Sequence, residues 1–517
     1  MTETPPGVDA SDKEQGMPDD GLQADPRIAV GPDKRRRRLV LAACLMATFM
    51  AAVESSIIAT AIPTLVGDLG GFSLFSWVFT IYLLTQAVSI PVYGRLADLY
   101  GRRRVFFAGT GLFLIGSTLC GFAWGMIPLI CFRALQGFGA GAIQPIAATI
   151  LGDIYTPTER AKVQGLVSSV FGVSAVVGPS LGAFLIGQFS WPVVFWVNLP
   201  IGAAAIAMIA IFLQETVQHR QHQIDWLGSL LLLVAISALM LALVQGGTLG
   251  GPTLAAVTVL GVVAMGALYL HERAISEPML PLELWRNRVI LVGSLGSGSA
   301  GAVMMGVAAF LPTYVQGAMG GGALGGGLVL GAMSVSWSLA SILGGRIMVR
   351  TTYRLVAGIG GAALVAGCTM LVVMTPADGA LWAATGSFVI GIGMGFCSTV
   401  FIVSVQAAVP WGQRGAATSS SMFMRFVGQS LGVSGCGAVL NATVLHIDPD
   451  AVHQVDRLLE PAARAAMTAA QVAHLTEVVA QSLHNAYLLA AAFAVATLAI
   501  ALQLPARLSP RQQTARR

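Results

Sequence analysis

The chain has 517 residues, 55% of them hydrophobic and only 10% charged, with a formal net charge of +5. Soluble domains carry about 25% charged residues, so this composition excludes an ordinary soluble enzyme and describes a polytopic membrane protein. The positive balance is that of Lys and Arg collected in loops on one membrane face, which removes nucleic acid as the implied partner.

Residues 1–38 are rich in Pro, Gly, Asp and Glu ahead of a basic cluster from Lys34 to Arg38, and read as a disordered cytoplasmic tail. The apolar run behind that cluster is too long for a signal peptide and reads as an anchor. About fourteen apolar runs of bilayer-crossing length follow. They lie near 39–62, 74–95, 105–124, 127–150, 163–187, 192–213, 226–246, 252–271, 289–312, 325–347, 355–375, 379–404, 416–440 and 484–503. Of the 29 Lys and Arg, Arg95 and Arg346 lie at the inner ends of runs, only Arg133 and Arg425 fall deeper within them, and only Arg457 and Arg464 fall in an outer loop. By the positive-inside rule both termini are then cytoplasmic. The expectation is an all-α protein with a six-helix bundle over 39–213 and a linker over 214–288 carrying two extra spans. A second six-helix bundle covers 289–503 with an outer loop at 441–484, and 504–517 form a basic cytoplasmic tail.

Cys44, Cys120, Cys131, Cys368, Cys397 and Cys436 all fall in apolar runs with no CxxC pair, and read as small core residues. His446, His453, His474 and His484 are scattered in the outer loop without acids at fixed offsets, so no metal site is expected. No phosphate-cradling Gly-rich loop with Lys is present. Energy is therefore expected from an ion gradient or from the substrate's own, with no cofactor.

The stretch from Gly94 to Arg104, GRLADLYGRRR, separates the second and third runs. It is expected to be a tight turn in which Gly94 and Gly101 let the backbones approach, and Asp98 pairs with Arg102 or with a helix terminus as a cytoplasmic latch. A plain solvated anchor turn is the alternative. Glu54 lies about fifteen residues into the first run, near mid-bilayer at 1.5 Å rise per residue. A bare carboxylate there costs several kcal/mol unless neutralised or paired. Glu54 is the candidate proton carrier, and Arg133, at similar depth in the fourth run, is the candidate partner that holds the bare acid and releases the protonated one. A static buried pair is the alternative. Trp77, Tyr82, Gln86, Gln136, Phe138, Gln144, Arg425 and Gln429 have the aromatic and polar character of a cavity for flat, apolar, partly cationic molecules, with packing or lipid-facing roles as the alternative. Arg425 could instead face Asp98 or snorkel to the inner surface. In the fifth run Gly165, Ser174, Gly178, Pro179 and Gly182 form a small-residue stripe with a break, suited to close packing and bending. Arg160, Gly178 and Gly182 recur as Arg414, Gly432 and Cys436 at one fixed offset, and Gly94 to Arg104 has a weaker echo at Gly344 to Arg354. Such repetition marks two halves that rock about a central site.

Together these stretches resemble the major facilitator superfamily, and within it the fourteen-span drug:proton antiporter group. Gly94 to Arg104 resembles the superfamily's loop signature, Leu129 to Gly141 its fourth-helix signature, and Gly165 to Ala183 the antiporter signature. Val53 to Pro63 and the run from Trp191 to Gly202, WPVVFWVNLPIG, resemble sequences of the fourteen-span group. Glu54 stands where the group usually has Asp, Ala59 where it has Asn, Ser174 and Ala183 where it has Gly, and Pro192 replaces a common Arg. The resemblance implies proton-driven export of hydrophobic or cationic small molecules from a functional monomer in the inner membrane. It places Glu54 and Arg133 in coupling. A dedicated exporter of one metabolite, antibiotic or lipid, and a membrane-embedded sensor that binds without transporting, are the alternatives. An enzyme is not expected, because no His, Ser or Cys set gathers at one depth.

Overall fold

The computed structural model describes residues 34–505 except 156, 216–224, 246–248, 276–281, 321–322, 410–413, 450, 452–453, 456–457 and 459–463. The side chains of Arg95, Asp98, Gly165 and Arg414, among others, also lie outside the described set. So do nearly all of the expected amino-terminal tail and most of the carboxy-terminal one. In hydrocarbon the backbone must satisfy its own polar groups, which long apolar runs do as helices. Among the described residues every regular element is helical.

The first set comprises α1 (Lys34–Leu69), α2 (Phe75–Tyr100), α3 (Arg102–Gly121), α4 (Met126–Ile154), α5 (Pro157–Gln188), α6 (Pro192–Trp196) and α7 (Asn198–Phe212). Then come α8 (Trp226–Gln245), α9 (Gly251–Ala274) and the short α10 (Leu282–Trp285). The second set comprises α11 (Arg288–Ala308), α12 (Leu311–Thr313), a π turn over Tyr314–Ala318, α13 (Ala323–Arg350), α14 (Tyr353–Val372), α15 (Gly379–Ala407), α16 (Arg414–Ile447) and α17 (Ala469–Ala501). Thirteen spans among the described residues are long and apolar enough to cross a bilayer. The 32-residue α5 takes the fifth expected place, packed between α1 and α13. The sixth expected run is two helices, α6 and α7, joined at Val197. Pro312, which cannot donate and crowds the preceding turn, accompanies the break after Ala308.

The expected turn at Gly94 to Arg104 is shorter than its glycines imply. α2 continues through Gly94 to Tyr100, and a Cβ at Gly94 would meet open space, so Gly94 serves no close approach here. Gly101 alone makes the corner, with φ at +89°, a region that L side chains rarely adopt.

The fixed offset in the sequence corresponds to equivalent helix pairs. Gly178 and Gly182 bring α5 against Ser56 and Thr60 of α1, while Gly432 and Cys436 bring α16 against Ala302 and Gly306 of α11. Likewise α2 and α3 pack on α4 as α13 and α14 pack on α15. The two sets meet at the end away from Gly101. There Thr80 Oγ1 and Ser434 Oγ are 2.7 Å apart, the Ser430 hydroxyl reaches the Thr80 carbonyl at 3.5 Å, and Asn441 donates to the Ser73 carbonyl at 2.8 Å. Phe75 stands edge-on to Phe310 at 5.1 Å, and Gly327 of α13 lies against Pro179 of α5.

In the expected outer loop, Ala451, Val455 and Leu458 are buried at helical spacing. Arg464 donates to the carbonyls of Gln316 and Gly317 at 3.2 and 3.4 Å, satisfying acceptors that the π turn leaves over.

The α11–α16 contact sets a stability test. A Cβ at Gly428 would overlap the Gly298 carbonyl, whereas one at Gly331 would meet nothing within contact distance. Gly428→Ala is expected to lower the melting temperature of the detergent-solubilised protein, with a cost of about 1–3 kcal/mol. Gly331→Ala should leave it unchanged or slightly raised, as helix propensity favours Ala.

Candidate functional site

Glu54 is wholly buried in the first helix set, with 0% of its surface exposed, and Arg133 on α4 is 1% exposed. An Arg133 Nη donates to Glu54 Oε1 at 2.6 Å, and Gln136 Nε2, one turn along the same helix, donates to that oxygen at 3.0 Å. The second carboxylate oxygen accepts from Asn198 Nδ2 at 2.5 Å. Asn198 sits at the first position of α7, where the break at Val197 turns its side chain into the bundle. Ser117 of α3 ties these groups together. Its hydroxyl donates to the Phe195 carbonyl at 2.7 Å and accepts from Gln136 and Asn198 at 3.1 and 3.0 Å.

Every partner of Glu54 in this network donates, and that is the surrounding an ionised carboxylate requires. Arg133 has further partners of its own. Its Nε donates to the Val78 carbonyl at 3.2 Å, its Nη1 to Gln136 Oε1 at 2.7 Å, and its guanidinium lies 4.0 Å over the Tyr82 ring. If Glu54 takes a proton, Arg133 therefore keeps acceptors and a π face rather than being stranded.

Tyr82 and Gln136, expected to line a substrate cavity, take part in this cage. Asn198 and Ser117 went unread in the sequence. Asn198 did carry a signal, as a polar side chain inside the otherwise apolar WPVVFWVNLPIG; Ser117 carried none, since Ser is common in membrane helices.

At the Gly101 corner the described acid is Glu215, not the expected Asp98, whose side chain lies outside the described set. The Glu215 carboxylate accepts from the backbone N–H groups of Arg102 and Arg103 at 2.8 and 2.9 Å, with an Arg102 Nη at 3.8 Å. A carboxylate across the first N–H groups of α3 satisfies orphan donors and meets the positive end of the helix. Arg103 and Arg36 reciprocate at the end of α7, donating to the carbonyls of Ala210 and Phe212 at 2.7 and 2.9 Å.

The remaining candidates are dispersed. Trp77 and Gln86 are buried on α2, Phe138 stands edge-on to Tyr93 at 5.7 Å, and Gln144 is half-buried. Ser174 accepts through its carbonyl from Ser56 at 3.4 Å, so together with Gly178 and Gly182 it is part of the α1–α5 seam. Gly165 falls outside the described side chains. Arg425 and Gln429 lie on α16, apart from the Glu54 cage.

Two side chains of opposite charge held in a dry interior depend on each other. Arg133→Gln is expected to destabilise the solubilised protein by about 3–5 kcal/mol by leaving Glu54 uncompensated. Glu54→Gln combined with Arg133→Gln should cost less than the sum of the single changes, read as a coupling energy from thermal unfolding.

Comparison with known proteins agrees with this architecture. A family description, the Major Facilitator Superfamily, matches residues 44–433. The chain is 35% identical over 405 residues to "Multidrug resistance protein 3" of Bacillus subtilis (strain 168), covering 78% of this chain and 79% of that protein. It is 34% identical to "Multidrug transporter protein MdtP" of the same organism, covering 79% and 76%. It is 30% identical to "Efflux pump FUS6" of Gibberella moniliformis (strain M3125 / FGSC 7600), covering 84% and 79%. In fold it is similar to the crystal structure of a bacterial homolog to the human lysosomal transporter Spinster, inward-facing and unoccupied. That likeness has a TM-score of 0.64 at 17% identity and covers 92% of this chain and all of that one. With its helical fold, its buried acid–arginine pair and these relatives, the chain belongs to the major facilitator superfamily, as a multi-pass membrane protein of its efflux-transporter kind.

Proposed function

We propose that the protein exports lipophilic small molecules by exchange for protons, with Glu54 as the proton carrier and Arg133 as the group that senses its charge. The observation that carries this reading is the cage itself: a carboxylate sealed in the bundle and held only by donors, beside an arginine with other partners ready. Neutralising Glu54 weakens its hold on α4 and α7 and leaves Arg133 to Val78, Gln136 and Tyr82. A proton thus changes which helices are tied together, and that difference is what biases one conformation over another.

The contacts between the two helix sets supply the gate. They gather at the end away from the Arg-rich corner, which the positive-inside rule makes the outer end. In this conformation the outer side is closed, so cargo enters from the cytoplasm, and a proton reaches Glu54 after the sets rock. The small-residue seams of α1–α5 and α11–α16 let whole bundles move as units. The protein would work as a monomer in the inner membrane with both termini cytoplasmic, driven by the proton gradient without a bound cofactor. The names of the relatives, multidrug transporters and an efflux pump, favour export over uptake.

Reconstitution in vesicles tests this. Under an imposed pH gradient the wild type should accumulate a lipophilic dye against proton flow, and an ionophore that collapses the gradient should abolish it. Glu54→Gln should lose gradient-driven accumulation by tenfold or more while still binding dye and carrying it downhill. Unchanged accumulation in that variant removes Glu54 from coupling, and no dye movement by the wild type under any gradient removes export.

A further inference from the structure

We propose that Arg425, with Gln429 beside it, is the docking point for the acidic group of an amphiphilic substrate, so that the cargo class is lipophilic carboxylates and related organic anions. This deepens the export reading above and rests on it.

The first ground is charge. Helices α11 to α16 contain no Asp or Glu, and Arg425 lies five residues, about 8 Å, into the apolar span Ser420–Ile447 of α16. No carboxylate is in ion-pair contact with it among the described residues, and its Nε is closed off from solvent without an acceptor. Across the interface the mid-span acid, Glu54, is already engaged by Arg133, Gln136 and Asn198. An unpaired guanidinium within a membrane span is costly, and intramembrane ionisable residues mark substrate or ion paths. Arg133 shows the contrast: its fork is filled by the protein's own oxygens, and that of Arg425 is not.

The second ground is direction. Successive residues of a helix turn by about 100°, so the sides of α16 can be assigned from its contacts. Gly428 and Gly432 face α11, and Ser430 and Ser434 face α2. Leu431 is exposed on the outer side. Arg425 and Gln429 flank the α11-facing row, their side chains passing Gly301 of α11, and Phe426 follows them around the helix toward the α2-facing row. The Arg425 guanidinium lies 5.2 Å from the Phe426 ring centroid, and Gln429 Nε2 approaches Met304 Sδ at 3.6 Å.

The chemistry follows from these neighbours. A planar guanidinium binds a carboxylate or sulfonate through two parallel hydrogen bonds, and Gln429 adds a donor. Phe426 and the polarisable thioether of Met304 suit an apolar body behind the acidic head. A cationic cargo would instead meet a like charge in a medium of low dielectric, with no free carboxylate nearby to offset it.

The test uses the purified full-length protein in nanodiscs, with pyrenebutyrate as lipophilic anion and rhodamine 6G as lipophilic cation, each corrected for binding to empty discs. The wild type should bind pyrenebutyrate saturably. R425Q should weaken that binding tenfold or more, R425K less so because it keeps the charge and loses the fork, and rhodamine 6G affinity should not fall in either. Should R425Q fail to fold, Q429L reads the same site, with an expected loss of about threefold for the anion alone. Absence of saturable pyrenebutyrate binding to the wild type, or binding unchanged in the arginine and glutamine variants, overturns the proposal. Transport is scored separately in vesicles. Arginine-dependent anion binding without movement of either dye supports this site and defeats export; gradient-driven rhodamine movement without anion binding supports export and defeats this site.

Discussion

A single carboxylate in the interior of the first helix set governs how that set is built. An ionised acid removed from water is tolerated only if its oxygens are filled, and Glu54 recruits Arg133 and Gln136 from α4 and Asn198 from α7 to fill them. Ser117 on α3 and Val78 and Tyr82 on α2 then hold the donors in place. Apolar side chains gain little by preferring one another over lipid, so polar contacts and tight packing decide which helices associate in a membrane. The charge that makes the bundle costly is also what specifies its arrangement. The same cage is therefore structural and poised for function, since the interactions that orient the helices depend on whether one oxygen carries a proton.

Small residues do the complementary work. At the α1–α5 and α11–α16 seams, Gly178, Gly182, Gly428 and Gly432 leave no room for a Cβ against the facing helix. Contacts so close join each pair tightly, as the proposed rocking of whole units requires. Between the two sets α5 packs along α13 and α2 along α16, with Gly327 against Pro179 and Gly437 against Ser76, and hydroxyl and amide hydrogen bonds and one aromatic edge add to that packing. Tight seams within each set, and a junction between the sets that includes polar contacts, are what the proposed rocking would work with.

How far the sequence alone revealed this depends on the size of each signal. A charge in an apolar run is conspicuous because so few reasons can keep it there, and Glu54 and Arg133 were legible as a pair. The repeat was legible because close packing leaves glycine at fixed offsets. Asn198 and Glu215 were not. An amide in a membrane helix is ordinary, and an acid just past a helix end looks like any loop charge until the fold carries it to the start of α3. Gly94 misled in the opposite sense, since a glycine among charges suggests a corner, yet helix hydrogen bonding continued to Tyr100 and left the corner to Gly101. Tyr82 and Gln136 were read as lining a cavity because spacing on one helix cannot tell a side that faces a cavity from one that faces a neighbouring helix.

The two helix sets share an ancestry of form but not of charge. In the first, the acid and the arginine neutralise each other, and a proton disturbs a balance already complete. In the second, Arg425 has no acid in ion-pair contact among the described residues, and its buried Nε has no acceptor there. On the proposed reading, equal scaffolds with unequal electrostatics would divide the labour of exchange, the half whose charges are closed on themselves answering to protons and the half whose charge is left open answering to cargo. Such a division requires no direct contact between proton and substrate. It would require only that both bias the same rocking of the two bundles about the junction between them.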